Sequence, residues 1–176
     1  MKFRWYRPLR ALRMILRNQE EILRQMSFER AVRKLRLHGV EMPMDAADYW
    51  QGKFQVCQIR LGDLRVLSPT RGAVPIAESD LFRFLKNGDQ SAFESYRKDI
   101  GRAAGMDLEY EGRDREYLEF VDRFLKEGYD IAKCAIVIRA EDNAVVDGQH
   151  RAVALRAHFG DEHRIKVVKL FRAPPQ

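Results

Sequence analysis

Five consecutive residues carry the clearest chemistry in this 176-residue chain: Asp147-Gly148-Gln149-His150-Arg151. An apolar run precedes them and an amphipathic helical pattern follows, so they read as a strand-to-helix corner. Gly148 lets backbone approach a ligand closely. The free amides and positive end of the following helix favour an anion. Arg151, in the helix's first turn, suits a two-pronged grip on a phosphate. His150 suits a hydrogen bond to phosphate or stabilisation of transferred charge, with structural capping as the alternative. Asp147 suits orientation of the loop, or capping of the helix, better than metal binding. Arg156, one turn beyond Arg151, extends the basic face as a further anion contact. His150, His158 and His163 with a distant cysteine lack zinc-site spacing, so no metal ligands are assigned.

The elements that must position this corner follow from periodicity. Residues 114–128 form the clearest amphipathic helix, with Tyr117, Leu118, Val121, Phe124 and Leu125 on one face and Gly128 at its end. A strand is expected at Ala135–Ile138, a second at Ala144–Val146, a helix running to Phe159-Gly160, and a last strand at Ile165–Leu170. Upstream, Gln55–Ile59 and Leu64–Leu67 read as short strands. Asp80–Leu85 reads as a helix ended by Asn87-Gly88. Residues 88–113 contain Phe93, Tyr96 and Ile100 at helical spacing and read as an insertion without an assigned role.

Charge separates the N-terminal segment from the remainder. Residues 1–37 hold eleven Lys/Arg against three Glu, a net +8, so the rest carries −2 of the total +6. The basic character therefore belongs to an arm, residues 1–38, ahead of a domain spanning 39–176. In the arm, Leu9, Leu12, Leu16, Leu23 and Met26 recur at helical spacing among arginines. Three readings stay open. The arm lies on an anionic membrane surface through Phe3, Trp5 and Tyr6. It contacts nucleic-acid phosphates or a protein partner. Or it docks its Leu/Ile stripe on the core. Cys57 and Cys134 are far apart and read as small hydrophobes, which fits a reduced, cytoplasmic setting, with the inner-membrane surface as a further possibility. No run is long enough to span a membrane, and no secretory h-region is present.

The layout of strand, turn, strand, Asp147-Gly148-Gln149-His150-Arg151, helix and strand over about residues 115–171 resembles the ParB/sulfiredoxin-like superfamily. That resemblance implies an α+β fold: a small mixed β-sheet flanked by helices. It also implies a nucleotide (ATP, ADP or CTP) at the loop, with Mg²⁺. The partition proteins of that superfamily carry Gly-Glu-Arg-Arg at the loop, and the sulfiredoxins carry Gly-Cys-His-Arg. The reactive cysteine of the latter falls on Gln149, whose amide cannot act as a sulfur nucleophile. The loop is closer in type to the Asp-Gly-His-His-Arg of free-serine kinases. A polar residue near the first helix often faces the phosphates in this superfamily. By position this implies Arg71, Glu78 and Ser79, with Glu78 as a general base.

The expected function is therefore nucleotide binding, with phosphotransfer or nucleotide hydrolysis. Gln149, Asp147, Gly148, Arg151, Arg71 and Ser79 would bind the cofactor, and Glu78 and His150 would be catalytic. The alternatives are a non-catalytic module that senses a nucleotide, and a nucleic-acid-associated protein using the arm.

Overall fold

The computed structural model describes residues 53–104 and 112–171. The basic arm, residues 1–38, lies outside the described residues, as do residues 39–52, 105–111 and 172–176. The domain runs β1 (Lys53–Arg60), β2 (Arg65–Ser68), β3 (Gly72–Pro75), α1 (Asp80–Asn87), α2 (Gln90–Ala104) and α3 (Arg113–Glu127). There follow a one-turn helix α4 (Ile131–Cys134), β4 (Val137–Arg139), β5 (Ala144–Asp147), α5 (Gln149–Phe159) and β6 (Arg164–Phe171). Single 3-10 turns at Leu61–Asp63 and Ile76–Glu78 follow β1 and β3.

The six strands form one mixed sheet in the order β1-β6-β4-β5-β2-β3. Antiparallel pairs join β1 to β6, β4 to β5 and β2 to β3, while β4–β6 and β2–β5 are parallel. The α+β class with a mixed sheet and flanking helices is thus the observed architecture. No helix among the described residues is long and apolar enough to cross a membrane.

Period two along the strands sorts the core into two faces. Ile59, Ile136, Ile138, Val145, Ile165 and Val167 point to the side covered by α1, α2, α3 and α5. Ala135, Val137, Val168 and Leu170 point the other way, joined by Phe54, Ile131 and Val146. Apolar residues on both sides explain why residues 135–138, leading into β4, read as a continuous hydrophobic run instead of an alternating one.

The helices form where the sequence supplies faces and ends. Ser79 caps α1, accepting from Phe82 N at 3.2 Å. On α3, Tyr117 and Phe124 are buried and Phe120 and Val121 pack beside them. Leu118, expected on that face, is 46% exposed instead. It lies about a third of a turn off the line through Tyr117, Phe120 and Phe124. The segment expected as an insertion is α2. Its Ala92 and Phe93 are buried, and the Phe84 and Phe93 rings meet at 4.7 Å. It belongs to the core.

Candidate functional site

The corner between β5 and α5 forms where Gly148 adopts φ 84°, a left-handed conformation open to glycine at little cost. No side chain caps α5, and its first backbone bond runs from Ala152 N to Gly148 O at 2.9 Å. A helix leaves its first amides without intrahelical acceptors. Those of Gln149, His150 and Arg151 are therefore available to an anion at the positive end of the helix.

The side chains of the corner diverge. Asp147 does not cap the helix; its Oδ2 takes Nη2 of Arg151 at 2.5 Å. The same Nη2 donates to Ala135 O at 2.9 Å. A Cβ on Gly148 would lie 3.0 Å from Arg151 Nε and Nη2, so the guanidinium fills the crook of the turn. Arg151 braces the loop in this geometry through Nη2, which serves both Asp147 and Ala135, while its buried Nε has no partner among the described residues. Gln149 turns to the opposite side, where its Oε1 accepts from Leu67 N at 3.2 Å and ties α5 to β2. Arg156, expected as an anion contact, is only 6% exposed. Both carboxylate oxygens of Asp161 hold it, at 2.8 and 2.9 Å, and it lies over the Phe82 ring. It is a structural ion pair, unavailable to a ligand.

His150 opens onto a cavity of about 230 Å³ between α2 and α3, lined by Phe93, Tyr96, Arg97, Arg113, Glu116, Tyr117 and Phe120. The His150 ring sits 5.0 Å from Tyr117, 5.9 Å from Tyr96 and 6.4 Å from Phe120. One edge stays exposed, yet the packed rings strip water from the rest. That desolvation, then the charges of Arg151 and Arg97, holds its pKa below the usual histidine value. The imidazole is therefore neutral at pH 7. Its Nε2 lies 2.8 Å from the hydroxyl of Tyr96. Burial pushes the Tyr96 phenol up to about 12, so it keeps its proton. When Tyr96 donates to Nε2, the ring proton resides on Nδ1 as a donor.

A second, tighter cleft of about 20 Å³ lies on the Gln149 side and brings together Arg71, Ser79, Asp80, Tyr96, Asp99 and Gln149. Arg71 reaches Glu78 O at 3.3 Å and Asp80 Oδ2 at 3.5 Å. Ser79 is buried, and its hydroxyl donates to Ile76 O at 2.7 Å while capping α1. Glu78 is exposed and lines neither cavity. The carboxylates lining this cleft are Asp80 and Asp99. Both are engaged, Asp80 by Arg71 and Arg83 and Asp99 by Thr70 and Arg102. Among the described residues no group of His, Cys, Asp or Glu is arranged to hold a metal ion. Cys57 and Cys134 are unpaired thiols packed against the helix-covered core.

Sequence reasoning missed Tyr96, Arg97, Arg113, Tyr117 and Phe120 as site residues. Tyr96 was visible at helical spacing, and Tyr117 on an apolar face. Neither signal distinguishes a core aromatic from a cavity wall.

The chain matches no protein-family model, no curated protein and no solved structure. Fold and site together define a mixed α+β domain with an uncapped helix start beside an aromatic, arginine-lined cavity.

Proposed function

We propose that this domain binds a nucleotide, with its phosphates at the start of α5 and His150 beside them. One observation carries the reading: the uncapped first turn of α5 presents its amides next to a cavity lined by His150, Arg97 and Arg113. Oriented amides, a helix dipole and an imidazole donor all favour a phosphate group. The resemblance in the loop adds ATP, ADP or CTP as the nucleotide. Mg²⁺ would arrive on the phosphates, because the described side chains supply no ready set of ligands for it.

A nucleotide panel with Mg²⁺ in a thermal-shift assay tests this. At least one nucleotide raises the melting temperature, and His150→Ala reduces the shift. A flat response across ATP, ADP, CTP and GTP overturns the reading.

Between enzyme and sensor, the geometry favours a binding module. Glu78 lines neither cavity, and Arg151 is committed to its own loop. Phosphotransfer or hydrolysis is the second reading; there His150, with Nε2 held by Tyr96, would donate from Nδ1 to the transferred charge. Phosphate release at the nucleotide that binds separates the two. The basic arm remains proposed as the contact to an anionic membrane surface or nucleic acid, from a cytoplasmic location.

A further inference from the structure

We infer that the cavity between α2 and α3 is a nucleobase pocket, leaving the phosphates outside it at the start of α5. This rests on the nucleotide reading above and adds the part of the ligand that gives affinity. Three observations support it independently of the loop.

The first is the wall. Tyr117 and Phe120 stack with ring planes 15° apart and centroids separated by 6.3 Å, and His150 stands against both. Tyr117 is covered by Phe93 and Phe120, so the half-buried Phe120 is the ring that offers a base a face to stack on. The second is an unmet hydrogen bond. Tyr117 is 7% exposed, and its hydroxyl is buried with no partner among the described residues. A buried hydroxyl without a partner is costly and uncommon. The edge of a base, rich in ring nitrogens and carbonyl oxygens, is a partner of the right kind. The third is size. At about 230 Å³ the cavity falls below the roughly 300–1,000 Å³ of pockets that engulf a drug-sized ligand. It has room for a ring and not for a whole nucleoside triphosphate. Arg97 lines it too, with Arg113 and Glu116 paired at 2.6 Å, so residues of both signs line the cavity.

Isothermal titration of the full chain with ATP, CTP and inorganic tripolyphosphate tests the inference. At least one nucleotide binds tenfold or more tightly than tripolyphosphate. Phe120→Ala erases most of that difference and leaves tripolyphosphate binding unchanged. Tyr117→Phe gives opposite signs in two readouts: the ligand-free protein melts at a higher temperature, and the nucleotide binds several-fold more weakly. A purely structural tyrosine would not move the affinity. Equal binding of nucleotide and tripolyphosphate overturns the base pocket while leaving phosphate binding at α5 standing. So does a Tyr117→Phe variant with unchanged nucleotide affinity. Binding of neither ligand overturns both readings.

Discussion

The hydroxyl of Tyr96 on α2 lies 2.8 Å from Nε2 of His150 on α5. This contact joins a helix that local sequence marks only by Phe93, Tyr96 and Ile100 at helical spacing to the loop that carries the chemistry. It also fixes one nitrogen of an imidazole that burial keeps neutral.

His150 should make stability fall with acid. Its folded-state pKa lies below 6.5, so the unfolded chain takes the proton first. Stability is unaffected above about pH 6.5 and declines as pH drops toward the folded value. The groups facing the ring are Tyr96, Tyr117, Arg97 and Arg151, and both arginines oppose protonation. Urea midpoints from pH 7.5 to 5 should fall in the native protein and flatten in His150→Gln. Asp63, Asp89 and Asp161 act in a separate window. Their lowered pKa values contribute stability that is lost as pH falls below about 3.8.

Replacing Gly148 by alanine should destabilise the domain by about 2–3 kcal/mol, combining a positive φ with crowding. The new Cβ would meet Arg151 at 3.0 Å and Ile136 Cγ1 at 3.1 Å. Gly88→Ala makes the control. It has φ 68° but open space around it, and should cost nearer 1 kcal/mol. Denaturant melts of the two variants give the comparison. Equal losses would mean that the packing of Arg151 into the turn contributes nothing.

Asp161→Ala should cost about 1–2 kcal/mol, because it leaves the buried Arg156 guanidinium without its carboxylate. The estimate is kept low because Asp161 is 60% exposed and water screens the pair. Arg156→Met should cost less, since no buried charge is left behind. Neither change should alter ligand affinity. Equilibrium unfolding paired with nucleotide titration checks both statements.

Ser79→Ala should cost about 1 kcal/mol through loss of the α1 cap and leave nucleotide affinity unchanged. A fall in affinity with unchanged stability would return Ser79 to the ligand-binding role that its position in the sequence implies.

Sequence alone determined the strand-turn-helix corner, because its signals are local. An apolar run, a glycine and a 3.6-residue pattern lie within one short stretch, and the backbone follows them. It likewise determined the helix ends at Gly88 and Gly128. Only the tertiary structure decided what the corner's side chains do. Asp147 and Arg151 attract each other across one helical turn, so the arginine closes on its own loop instead of reaching outward. Asp161 captures Arg156 after the chain reverses past Gly160. The cavity at His150 exists because α2 and α3, distant in sequence, converge on α5. Such convergence follows from burial of apolar faces against a shared sheet, a cooperative property that no local spacing encodes.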